Sequence, residues 1–204
     1  MLKPLTIFVA CPEDCTCERD IVCEVAGELE SLANHHGYTL KVRNWTQVSP
    51  NMGRPQQVIF DQIPVETWDI LVGILWLRFG QKSGGTNTIT GGPAESGTEE
   101  EFTSALQSAK TTGRPRILFY RRTAGPPDIS RLDLGQLNLV QEFFKKFNPG
   151  EPYEGLYKPY GETEEFRRKL REHLQDLLIK NTRIPQDFIK KCWNNLFSPA
   201  TRQG

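Results

Sequence analysis

The chain has 204 residues, with 25 Lys plus Arg against 25 Asp plus Glu and a formal net charge of zero. That length holds one α/β domain with a full core, or one domain and a short appendage. The charge balance excludes a global pull toward nucleic acid or an anionic membrane, so no direct nucleic-acid partner is expected.

The first ten residues, MLKPLTIFVA, lack a signal-peptide layout, and residues 5–10 read as a buried strand bounded by Pro4 and Pro12. A helix is expected from about Cys17 to His36, because Ile21, Val22, Val25, Ala26, Leu29, Leu32 and Ala33 recur at helical spacing. His35 and His36 lie in its last turn and suit the helix dipole, and Gly37 stops it. Residues 38–45 read as a second strand, and 54–63 as a short helix with Pro55 in its first turn. Residues 69–76, DILVGILW, form the most apolar strand, which places it centrally in a parallel sheet. The whole apolar run, 69–77, is far too short to span a bilayer, and a cytoplasmic protein without membrane contact is expected. A helix from about Thr98 to Lys110 and a strand at 116–122 follow. Residues 132–147 look helical, and 155–161 read as an edge strand, since Pro159 forbids a central place. Residues 163–180 form an amphipathic helix on Phe166, Leu170, Leu174, Leu177 and Leu178. The boundaries drawn are one α/β domain over 1–180 and an appendage over 181–204, with a short amphipathic helix at 184–197 and a polar tail.

Strand and helix alternate about five times, which predicts a doubly wound, mainly parallel five-stranded sheet with helices on both faces. In such a sheet a ligand sits beyond the carboxyl ends of the strands, where strand order reverses. Asp14, Trp45, Trp76, Arg78, Phe79 and Glu101 are expected to converge there, with Trp76 and Phe79 either stacking on a ring or serving as ordinary core. Arg19, near the end of the first strand, either makes a surface ion pair or holds the acidic loop at Glu13 and Asp14, or a phosphate. The stretch from Gly80 to Gly97 is long enough to be a lid or a disordered link. It carries no GxxxxGK[ST], and no GxGxxG follows the first strand, so the common ATPase and dehydrogenase readings lose their support. No GxSxG supports a serine hydrolase either. The five cysteines, Cys11, Cys15, Cys17, Cys23 and Cys192, include no CxxC pair and read as reduced thiols, with no metal site expected.

Glu99, Glu100 and Glu101 open the helix after that loop. Thr98-x-x-Glu101 reads as a capping box, which would explain the glutamates by helix structure alone. At about 100° per residue, Glu100 points furthest from the apolar stripe while Glu99 and Glu101 flank it, so the wheel does not choose between them. A carboxylate at a helix N-terminus should stay ionised, which suits a nucleophile, a base or the stabilisation of a ribosyl cation better than a general acid.

Together IFVACPEDCTCERDIV, WDILVGILWLRFG and SGTEEEFTSALQSAKTTGRPRILFY resemble the TIR-like domain found at the N-terminus of STAND-type NTPases and other defence or signalling proteins. The resemblance runs from about residue 5 to 180. Where that family shows Ser, Pro, Ser, Asp after strand one, this chain has Cys11, Pro12, Glu13 and Asp14. The wider flavodoxin-like group includes TIR NAD glycohydrolases and nucleoside deoxyribosyltransferases. The transferase pattern G-T-x-x-E falls on Gly97, Thr98 and Glu101, and the TIR pattern, a small residue three positions before the glutamate, selects Glu101 too. The resemblance thus implies cleavage of the N-glycosidic bond of NAD, with NAD as substrate, no cofactor, and Glu101 at the reacting centre. The strand-end positions and these patterns together give the expected substrate contacts: Cys11, Pro12, Asp14, Arg19, Trp45 and Trp76, with Arg78, Phe79, Gly80, Ser96 and Thr98. The resemblance also implies self-association or an attached assembly or sensor module. Two other readings stay open: a non-catalytic TIR-like interaction module, and a deoxyribosyltransferase-like enzyme acting on nucleosides.

Overall fold

A computed structural model describes residues 1–126 and 128–183. The expected helix at 184–197 lies outside the described residues. Five strands alternate with helices: β1 (Lys3–Ala10), β2 (Tyr38–Arg43), β3 (Ile70–Leu75), β4 (Arg116–Arg122) and β5 (Lys158–Tyr160). The helices are α1 (Thr16–Glu28), α2 (Glu30–His35), α3 (Pro55–Gln62), α4 (Gly97–Thr112), α5 (Leu134–Lys145) and α6 (Thr163–Arg183). The strands form one sheet in the order β2-β1-β3-β4-β5, and every pairing is parallel. This is the doubly wound, flavodoxin-like order, with β3 in the centre as its apolar run predicts. Among the described residues, no helix is long and apolar enough to cross a membrane.

Alternation along the strands divides the interior into two cores. Leu5, Ile7 and Val9 of β1 and Ile70, Val72 and Ile74 of β3 face α1 and α6, where Phe166, Leu170, Leu174 and Leu178 pack. Phe8 and Ala10, with Leu71 and Leu75, face α4 and α5 and an aromatic cluster of Phe102, Phe119, Phe143, Phe144 and Phe147. Phe8 also stacks on Trp68, with ring centroids 3.8 Å apart. Both faces of β1 and β3 are therefore buried, which is why these strands read as continuous apolar runs.

The expected helix over 17–36 is two helices, broken at Leu29, and it begins at Thr16. The second strand ends at Arg43, and Trp45 stands in the short helical turn Trp45–Gln47 that follows. Helix α4 opens one residue earlier than expected, so the capping box is shifted. Ser96 is the N-cap and accepts from the backbone N–H of Glu99, while Glu99 Oε2 accepts from the N–H of Glu95. Thr98 is the second residue of the helix and Glu101 the fifth, so Glu101 stands in the second turn and has no capping role.

Gly73 sits at the middle of β3, opposite Phe119 of β4. A Cβ at Gly73 would lie 2.2 Å from the Phe119 ring, which is itself wedged among Phe102, Phe143 and Phe147. The missing side chain makes room for the ring. Gly73→Ala should therefore destabilise the fold by about 1–3 kcal/mol through overpacking. Urea unfolding should show a lower midpoint at an unchanged slope.

Candidate functional site

The β2–β3 connection passes back over β1, so strand order reverses between β1 and β3. Loops leaving the carboxyl ends of these strands diverge there and leave a crevice. A cavity of about 360 Å³ occupies it. Its lining comes from every neighbouring element: Cys11, Pro12 and Glu13 after β1, Trp45 after β2, and Arg78, Gly80 and Gln81 after β3. Gln56 and Ile59 of α3 and Gly97, Thr98 and Glu101 of α4 complete it.

Helix α4 buries all three consecutive glutamates, with Glu99 at 1%, Glu100 at 4% and Glu101 at 4% exposure. Glu100, which the helical wheel turns furthest from the apolar stripe, is therefore buried all the same, and so is Glu99. Glu99 Oε1 accepts from Lys146 Nζ at 2.9 Å, from the Tyr153 hydroxyl at 2.7 Å and from Asn87 Nδ2 at 3.2 Å. Glu100 accepts from Arg54 Nη1 at 2.6 and 2.8 Å. Among the described residues Glu101 has only a neutral partner, Gln56, whose Nε2 donates to Oε1 at 2.9 Å. Among the described residues it has no cation at ion-pair distance.

That difference sets its charge. Burial, assisted by the neighbouring Glu100 carboxylate and opposed by the Gln56 hydrogen bond, pushes the Glu101 carboxyl up to about 8. The expectation of a permanently ionised carboxylate fails because the helix N-terminus is the weaker influence: Glu101 lies beyond the first turn and inside the protein. Burial, with Glu101 second, likewise pushes the Cys11 thiol up to about 12, so Cys11 presents an uncharged wall.

The other expected residues divide in two. Cys11, Pro12, Trp45, Arg78, Gly80 and Thr98 line the cavity with Glu101. Trp45 is partly exposed at its rim, and Arg78 is exposed at its mouth. Asp14, Trp76, Phe79, Ser96 and Arg19 do not line it. Asp14 holds its wall instead: Oδ2 accepts from the backbone N–H groups of Leu77 and Arg78 at 3.0 and 2.9 Å. Trp76 packs beside the α1–α6 core, donates to the Ala124 carbonyl and lies under the Arg122 guanidinium. Phe79 is buried against Phe143, since its side chain turns into the aromatic core rather than outward. Ser96 is fully buried as the N-cap. Arg19 packs its guanidinium about the Trp45 ring, 6.0 Å from its centre, and pairs with Asp20; it does not hold Glu13 or Asp14.

Only the ends of the Gly80–Gly97 stretch touch the cavity. Its middle is folded onto the other side of α4, so it is not a lid over Glu101. Asn87 bonds to Glu99 and Tyr153 there, and Ile89 packs on the aromatic core. Gly85 allows the loop to cross the Glu100 carboxylate, which a Cβ would meet at 2.2 Å.

Gln56 was not singled out by motif. A local signal does exist: Gln56 stands on the apolar stripe of α3, three and four residues before Ile59 and Phe60, where a polar side chain needs a buried partner. Against known proteins, no family model and no curated sequence matches the chain.

Two substitutions on neighbouring glutamate pairs should act in opposite directions. Arg54→Ala strands a buried carboxylate and should cost about 3 kcal/mol, read by urea unfolding. Glu101→Gln removes a carboxyl whose folded pKa lies above its unfolded value near 4.5. Between those values the folded chain holds a proton that the unfolded chain has lost, so the parent loses stability as pH rises. The variant escapes this loss. Its melting temperature should match the parent's near pH 4, exceed it increasingly up to about pH 8 and keep a constant margin above that, the stability gap amounting to ~1.4 kcal/mol per unit of pKa difference.

Proposed function

We propose that the chain cleaves the N-glycosidic bond of NAD or a closely related pyridinium nucleotide, releasing nicotinamide, in a defence or signalling response. The observation that carries this reading is the buried Glu101 carboxyl at the cavity, which has no cation of its own among the described residues. Glu99 and Glu100 each have a cation from the protein. For Glu101 the matching positive charge is left to the ligand. The pyridinium ring of NAD brings one, and so does the ribosyl cation that forms as the bond breaks.

Chemically, the C1′–N bond breaks and its electron pair passes to the ring nitrogen. Nicotinamide leaves as a neutral molecule and needs no protonation, so an ionised Glu101 is the competent form. The ribosyl cation is stabilised by the carboxylate, whose own side chain is buried at the cavity. A water molecule then attacks C1′, and its proton passes to Glu101 or solvent. Trp45 offers a stacking surface at the rim, and the exposed Arg78 offers a cation for phosphate.

The same raised carboxyl favours a second reading, in which protonated Glu101 delivers its proton to the neutral base of a nucleoside. The two readings demand opposite pH profiles. For NAD cleavage, kcat/KM should rise roughly tenfold per pH unit below about 8 and level off above it. The midpoint for kcat should be lower, because the bound cation favours the carboxylate. Free nicotinamide measured by chromatography, in dilute and in concentrated protein, gives the rates. Glu101→Gln should abolish release, whereas Glu100→Gln should retain it. Undiminished release by Glu101→Gln, or a kcat/KM that falls with pH through 8, contradicts the NAD reading.

A further inference from the structure

Glu101 Oε1 is held by Gln56 Nε2, whereas Oε2 has no partner among the described residues. The two oxygens of one carboxyl are thus made unequal. Gln56 is itself tightly placed: it is 5% exposed, and its Oε1 faces Gly97 so closely that a Cβ there would lie 2.6 Å away. The amide is wedged between the first residue of α4 and the carboxyl one turn further along.

We propose that Gln56 is a positioning residue for Glu101: its amide N–H ties Oε1 toward α3 and so aims Oε2 into the cavity. This rests on reading Glu101 as the reacting carboxyl. The choice of a neutral donor follows from the contrast with the two neighbours. An Arg or Lys in the place of Gln56 would orient the carboxyl equally well, as Arg54 does for Glu100. It would also neutralise the negative charge that a ligand cation is meant to meet. An aliphatic side chain would leave the charge uncompensated but would fix no direction. An amide orients without neutralising. Gly97 is part of the same device, because any side chain there would displace the amide.

The test titrates Glu101 directly, without substrate, by the infrared carboxyl band that is lost in Glu101→Gln. Gln56→Leu removes a donor to the charged form and should raise the midpoint above the parent's by about one unit. Gln56→Lys adds a cation and should lower it. Gly97→Ala should move it in the same direction as Gln56→Leu, although it leaves Gln56 and Glu101 chemically unaltered and only displaces the amide. In nicotinamide release, Gln56→Leu should lose about 10²-fold in kcat with KM little changed, because the carboxyl is misdirected rather than removed. A midpoint unmoved by both Gln56→Leu and Gly97→Ala overturns the assignment, as does an unaltered kcat in a parent that cleaves NAD. The infrared titration reads Gln56 even in a chain that releases no nicotinamide, so failure of this assignment and failure of the NAD reading are told apart.

Discussion

Helix α4 must take three successive carboxyl groups out of water, and much of the molecule around it is arranged by that requirement. Neighbouring side chains on a helix diverge by about 100°, so no single cation can serve all three. Each glutamate needs its own partner from a different direction. Lys146 and Tyr153 arrive from the end of α5 and the segment behind it, Arg54 from the start of α3, and Gln56 from the first turn of α3. Leaving any one of these groups charged and unpaired inside the protein is costly, so these contacts fasten the start of α3 and the segment behind α5 to one helical turn.

The long glycine-rich connection is explained by the same demand. Rather than covering the cavity, it closes over the paired glutamates on the far side of α4. Arg54 Nη1 reaches the Ser83 carbonyl, and Asn87 joins Glu99 to Tyr153. Backbone must pass directly against the Glu100 carboxylate, and Gly85 is the residue whose missing side chain permits it. On the opposite side, the wall of the cavity is held by side-chain acceptors that take up the backbone N–H groups of the loop after β3. Asp14 takes those of Leu77 and Arg78, and Gln136 takes those of Phe79 and Gly80. The crevice left by the parallel sheet is thereby kept open by polar contacts that do not themselves enter it.

Within this arrangement Glu101 is the exception. Two glutamates are held by cations and one by an amide, and the amide-bound one is the member that reaches the cavity. An uncompensated buried carboxyl works against folding at neutral and alkaline pH, which is the usual relation between a reactive group and the stability of its scaffold. Cys11 adds a second uncharged but ionisable wall beside it, where burial and the proximity of Glu101 keep the thiol protonated.

The order of elements was legible in the sequence because it rests on local periodicity. The apolar run at residues 69–76 is buried on both faces and occupies the sheet centre, and Pro159 marks the edge strand β5. The same alternation placed a crevice beyond β1 and β3, and with it Trp45, Arg78 and Glu101, whereas Asp14, Trp76 and Phe79, expected beside them, stand outside its lining. The rest depended on contacts that no local pattern contains. Glu99, Glu100 and Glu101 are equivalent letters in a row, and what separates them are partners 47, 46 and 45 residues away in the chain. Whether Phe79 turns inward and whether the loop covers the cavity or the ion pairs were decided by packing of the same kind. The charge of Glu101 was decided there too. Its pKa follows from burial, and burial is produced only when α3, α4 and the loops after the strands come together. Sequence by itself thus determined where a carboxyl would stand, and the resemblance picked Glu101 among the three, whereas tertiary structure decided what holds it, which way it points and when it is ionised.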